Sequence, residues 1–117
     1  MEVLKERVKR RLKTIDDASR WARSLEFRCT AILVGSYARG DFNLWSDVDI
    51  ILIAEFWEGQ NPIERLRLID HPPGFQVIPL TPAEFKRLLE KGDPMAIESI
   101  EIGVKLREDV EIPTPNL

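Results

Sequence analysis

GSYARGDFNLWSDVDI, residues 35–50, joins two apolar runs. The run before it, TAILV (30–34), stops at Gly35, and the run VDIILIA (48–54) begins just after an aspartate and carries a second one inside it. Short apolar runs stopped by glycine read as buried strands. Side chains at i and i+2 of a strand share a face, with Cα atoms about 6.6 Å apart. Asp47 and Asp49 therefore point the same way at the mouth of the second strand. Asp is disfavoured in strands, and two like charges on one face repel. A divalent cation offsets that cost. Mg²⁺ suits the place, because it takes hard oxygen ligands and keeps positions for water and substrate phosphates. Gly35 permits close backbone approach, and the Ser36 hydroxyl with the N–H groups of the turn can cradle a phosphate. Ser36 is expected to begin one helical turn over 36–40, followed by a loop over 41–46. Arg39, one turn on, supplies positive charge to the same phosphates; a salt bridge to Asp41 is its rival role.

Working outward, Leu4, Val8, Leu12, Ile15, Ala18, Ala22 and Leu25 recur every three or four residues. That spacing predicts an amphipathic helix over 2–26, with this stripe against the core. Pro62 starts a short helix with Ile63, Leu66 and Ile69 on one side, broken at His71-Pro-Pro-Gly74. FQVIPL (75–80) reads as a third strand, and its Pro79 places it at a strand end or sheet edge. Thr81-Pro-Ala-Glu84 carries the signature of a capped helix start. Phe85, Leu88 and Leu89 form the buried face of that helix, and Gly92 ends it. A further helix covers 94–102, GVKLRED (103–109) adds a short fourth strand, and the tail EIPTPNL (111–117) is extended or frayed. The expected fold is α/β of the α+β kind: a short mixed sheet of three to four strands flanked by helices, in one domain over 1–117. Cys29 reads as a buried small residue, His71 as a loop histidine, and Trp21 as core. Phe56 and Trp57 leave the second strand as an exposed apolar patch. Trp45 either stacks on a base or covers the sheet edge.

The 117 residues are 44% hydrophobic and 32% charged, with net charge −3, which describes a soluble globular chain. No run approaches a membrane span. The start MEVLKERVKRR lacks a signal-peptide core, and one cysteine cannot form an internal disulfide, so a reducing cytoplasm is the expected location. Basic and acidic residues balance, ten each through position 60 and seven against ten after it. That argues against nucleic acid held by charge alone. Lys5, Arg7, Lys9, Arg10, Arg11 and Lys13 crowd the first helix; a solvated face is favoured over a docking surface for RNA or an acidic partner.

Gly35-Ser36, Ala38-Arg39-Gly40 and Ser46-Asp47-Val48-Asp49-Ile50 resemble the signature of the DNA polymerase β-type nucleotidyltransferase superfamily, in its minimal prokaryotic branch. FQVIPLTPAEF (75–85) and GVKLRED (103–109) extend the resemblance more weakly. It implies the nucleotidyltransferase fold and Mg²⁺- or Mn²⁺-dependent transfer of a nucleoside monophosphate, AMP from ATP, to a hydroxyl of a protein or small molecule. It implies Gly35, Ser36, Arg39 and Ser46 as nucleotide contacts, and Asp47 and Asp49 as the metal-binding, catalytic pair. A small helical partner of the HEPN type, in a toxin–antitoxin pair, is the partner it suggests; a homo-oligomer is an open alternative. The family usually carries a third carboxylate on the next core strand. The matching position is Gln76, an amide that cannot act as a base. Two readings follow: an active transferase, or a nucleotide- and partner-binding module with catalysis impaired.

Overall fold

The computed structural model describes residues 2–112. Strands β1 (Thr30–Val34) and β2 (Val48–Ile53) form its centre. All five residues of β1 are buried, as are all of β2 except Asp49. Continuous apolar runs suit strands covered on both faces, and alternation sends successive side chains to opposite layers. Ala31, Leu33, Ile50 and Leu52 join Ala18 and Ala22 of helix α1 (Glu2–Ser24) in one layer. Ile32, Val34, Ile51 and Ile53 join Phe85 of α4 (Pro82–Glu90) and Ala96 of α5 (Pro94–Glu101) in the other. Between the central strands lies the short α2 (Gly35–Arg39). The other elements are α3 (Pro62–Arg65), β3 (Phe75–Leu80) and β4 (Val104–Glu108). The sheet order is β3-β2-β1-β4. β1 runs antiparallel to β2 and β4, and β3 parallel to β2. The mixed sheet flanked by helices is as the sequence predicts, with Pro79 on an edge strand. Residues 113–117 of the expected tail lie outside the described residues.

Three expectations about packing are corrected. First, the apolar stripe of α1 is buried only in its second half. Leu4, Val8 and Leu12 are 62, 58 and 59% exposed. The first half of the helix meets α2 instead of the sheet. Arg7 donates to the Gly40 carbonyl at 2.8 Å and lies over the Phe42 ring at 4.5 Å. Arg11 donates to the carbonyls of Tyr37 and Ala38 at 2.8 and 3.1 Å. These two members of the basic group are therefore ties to α2 rather than part of a solvated face. Second, Trp57 is fully buried, because a 3-10 turn over Glu55–Trp57 folds it back so that its Nε1 donates to the Leu52 carbonyl at 3.1 Å. Phe56 stays partly exposed, stacked on Phe27. Third, α3 does not bury Ile63, which is exposed, but Arg65.

Arg65 replaces an apolar contact with a saturated polar one. Its Nη1 donates to Glu84 Oε1 at 2.6 Å and to the Pro79 carbonyl at 3.1 Å, and its Nε to the Gln60 carbonyl at 3.3 Å. Glu84 also closes the expected capping box: Oε1 accepts from Thr81 N–H at 2.8 Å, and Thr81 Oγ1 accepts from Glu84 N–H at 3.1 Å. The Arg65 hydrogen bond is the largest influence holding the Glu84 carboxyl below its usual range. Removing one member of a buried pair strands the other charge. Arg65→Met is expected to cost about 3 kcal/mol in urea unfolding, the low end for such pairs because Glu84 keeps some access to water. A depressed carboxyl stabilises the fold above its unfolded pKa and loses that contribution as pH falls through its folded pKa. The Arg65→Met deficit should therefore shrink in acid, below the usual carboxylate range. A deficit that stays constant through acid would assign Arg65 a packing role only.

Candidate functional site

The turn between β1 and α2 sits against β2. In the β1–β2 register Val34 faces Asp49, so the residue after Val34 passes the Asp49 side chain. That residue is Gly35, with φ +75°, and a Cβ built on it would land on the Asp49 carboxylate. Glycine is required twice over, by the left-handed backbone and by the lack of space. The helical turn begins at Gly35 rather than at Ser36. Val34 is its N-cap, and no side chain caps it. Ser36 is thus inside α2, and its hydroxyl is not spent as a cap.

Asp47, just before β2, is exposed, while Asp49 is half-buried. Alternation puts Asp49 on the layer that holds Ile51, Ile53 and α5, and Asp47, one residue before the strand, is close enough for its charge to reach it. Asp49 is held above the ordinary carboxylate range, first by burial and then by the charge of Asp47, with Arg39 acting the other way. The two aspartates are therefore electrostatically coupled, as the sequence spacing predicts. On β3, Gln76 stands opposite Asp49 in the parallel register. The strand position that the resemblance gives to a third carboxylate is thus beside Asp49, and it holds an amide.

Arg39 makes the salt bridge to Asp41 that the sequence offered as its rival role, and a second one to Glu98. Its Nε donates to Asp41 Oδ2 at 3.1 Å, and its Nη1 to Glu98 Oε2 at 3.0 Å. Glu98 Oε1 also accepts from Gly35 N–H at 2.6 Å. Glu98 comes from α5, whose start is capped by Asp93 accepting from Ala96 N–H at 3.0 Å. Gly103 lets the chain turn from α5 into β4, since a Cβ there would meet the Ser99 carbonyl and lie 2.6 Å from Ile32 Cγ2. Sequence reading missed Glu98. Its only signal is an acid in the mostly apolar helix PMAIESIE, and Glu101 shares that signal. Ser46 is turned into its own loop, where Oγ accepts from Asn43 N–H at 2.8 Å. Trp45 is 85% exposed and covers no sheet edge. A groove of about 730 Å³ runs beside it, between the loop and α1, lined in part by Arg10, Lys13, Phe42 and Leu44.

Among the described residues no group of three or more His, Cys, Asp or Glu side chains is gathered as a metal cage. The candidate donor set is the pair Asp47 and Asp49. Two carboxylates that disfavour joint ionisation fit an ion that takes one or two protein ligands and completes its shell with water and phosphates.

The sequence profile of the nucleotidyltransferase domain matches residues 3–106. The chain belongs to the nucleotidyltransferase domain family. It is accordingly a transferase of nucleotidyl groups. A crystal structure of a candidate nucleotidyltransferase from Sulfolobus solfataricus shares the fold. The TM-score is 0.57 at 20% identity, over 85% of this chain and 84% of that one. No curated protein matches the chain. Among the described residues of this nucleotidyltransferase domain, no helix is long and apolar enough to cross a membrane.

Proposed function

We propose that this domain, over residues 1–117, transfers a nucleoside monophosphate from a nucleoside triphosphate, with ATP the donor, to a hydroxyl of a protein or small molecule. The observation that supports the reading is the register that brings Gly35 against Asp49, with the Arg39 charge acting on the same carboxylate. Asp47 and Asp49 would hold Mg²⁺ or Mn²⁺, which when bound stabilises charge developing on the phosphates. The Ser36 hydroxyl donates to a phosphate oxygen. Arg39 offsets the charge of the polyphosphate tail. Gly35 keeps the turn close enough to Asp49 for both to meet one ligand. Ser46 has a supporting part, fixing the loop that leads into Asp47. A HEPN-type helical protein as acceptor or partner, and a reducing cytoplasm for the buried Cys29 thiol, whose pKa burial pushes up to about 11, complete the proposal.

The test is pyrophosphate release from labelled ATP with Mg²⁺ or Mn²⁺ and candidate hydroxyl acceptors. Release that depends on metal and disappears in Asp47→Asn supports transfer. Metal-dependent nucleotide binding with no release under any acceptor supports the second reading, a binding module, which the Gln76–Asp49 register favours. Gln76 can orient an acceptor hydroxyl but cannot take its proton. Restoring a carboxylate there, in Gln76→Glu or Gln76→Asp, is expected to raise turnover by about 10²-fold, the low end for a general base. An unchanged or lower rate in both variants would show that the acceptor proton leaves by another route.

A further inference from the structure

Glu98 spends both carboxylate oxygens on two groups that the family resemblance gives to the nucleotide. Oε1 accepts from Gly35 N–H at 2.6 Å and Oε2 from Arg39 Nη1 at 3.0 Å. Its side chain is 21% exposed and reaches the turn from 63 residues away. The seating of α5 is accounted for without it, by buried Ala96 and Ser99 and by the Asp93 cap. Gly35 N–H has one proton to donate, so it cannot serve Glu98 and a phosphate together. Arg39 is already shared with Asp41. Asp41 and Glu98 pair with its guanidinium and Asp49 lies within reach of its charge, and a polyphosphate adds more of the same sign. Carboxylate and phosphate therefore compete outright for the Gly35 amide, and at Arg39, whose guanidinium has further N–H groups, they compete through like charge.

We propose that Glu98 is a resident anion of the triphosphate subsite, holding the Gly35 amide and Arg39 in place until a polyphosphate displaces it. This rests on the reading of the Gly35–Arg39 turn as the phosphate contact. Displacement needs no backbone change, because a glutamate has staggered alternatives that carry its carboxylate to water. The contact keeps the donors oriented in the empty protein, which lowers the ordering cost on binding. It also weakens apparent affinity in proportion to the fraction of molecules whose donors are open.

The test uses inorganic tripolyphosphate without metal, measured by calorimetry on wild type, Glu98→Gln and Glu98→Ala, with thermal melts as the folding control. Glu98→Ala is expected to bind about tenfold tighter than wild type, as when about one molecule in ten has the donors free. Glu98→Gln, which keeps a neutral acceptor for Gly35, falls between. In wild type, the Glu98 side-chain carboxyl carbon and the Gly35 amide should both shift in NMR spectra as tripolyphosphate is added. Equal or weaker binding in both variants overturns the proposal, and so does a Glu98 carboxyl resonance that stays put while tripolyphosphate binds wild type. The wild-type NMR result decides the matter if Glu98→Ala fails to fold. ATP with Mn²⁺ forms a separate arm. If the tripolyphosphate gain appears while ATP binds wild type and Asp47→Asn alike, the resident anion stands and the nucleotide reading falls.

Discussion

Asp49→Asn is expected to lower nucleotidyl transfer by about 10²–10³-fold, the loss typical when one preorganised charge-stabilising group is removed. Asparagine keeps the shape and the half-buried position but not the charge proposed to bind a cation. The fold should not suffer. Burial and the neighbouring Asp47 hold the Asp49 carboxyl above its ordinary range. Such a group favours the folded state below its unfolded pKa, and that contribution is lost as pH rises through the folded pKa. At neutral pH the metal-free wild type therefore carries an ionised carboxylate at a cost. Metal-free Asp49→Asn should melt at the same temperature or higher near pH 7, with the difference fading in acid. Loss of activity with unchanged or raised stability marks a group kept for function. A variant that loses stability in proportion to activity would make Asp49 a structural residue.

Gly35→Ala carries the second large effect, and it differs in kind. The left-handed backbone at Gly35 costs a residue with a Cβ about 1–2 kcal/mol. The added methyl also meets the Asp49 carboxylate, so either the turn or the aspartate must move. Expected are a loss of about 2–4 kcal/mol in denaturant unfolding and a fall in transfer as large as that of Asp49→Asn. Gly40 provides the control. It too has positive φ, at +93°, yet a Cβ there meets nothing within 4 Å. Gly40→Ala should show the backbone strain, about 1 kcal/mol, and retain activity. Equal effects at the two positions would mean that closeness to Asp49 is unimportant.

What the sequence makes legible here follows from how local each determinant is. TAILV and VDIILIA are recognisable because strands buried on both faces need unbroken apolar runs, and Asp49 falls on the α5 layer because alternation along a strand is rigid. The Thr81 capping box is equally local, confined to four residues. The misreadings depend on what lies elsewhere. Leu4, Val8 and Leu12 keep the helical period of a buried face, but periodicity does not say where the sheet beneath α1 ends. Ile63 and Arg65 exchange places because Glu84 and the Pro79 carbonyl, far along the chain, complete a polar site for Arg65. Glu98 is invisible for the same reason, since only the packing of α5 on β1 brings it to Gly35.

The central claim is that Asp47 and Asp49 share one divalent cation with the polyphosphate of a bound nucleotide. A crystal of the protein with a non-hydrolysable ATP analogue and Mn²⁺, measured for anomalous scattering at the manganese edge, tests it most directly. The account predicts a manganese peak between the two aspartates, with the phosphate tail against Ser36 and Arg39 and the Glu98 carboxylate moved off Gly35. Manganese away from that pair, or the nucleotide seated in the groove beside Trp45 with Glu98 still bound to Gly35, would contradict it.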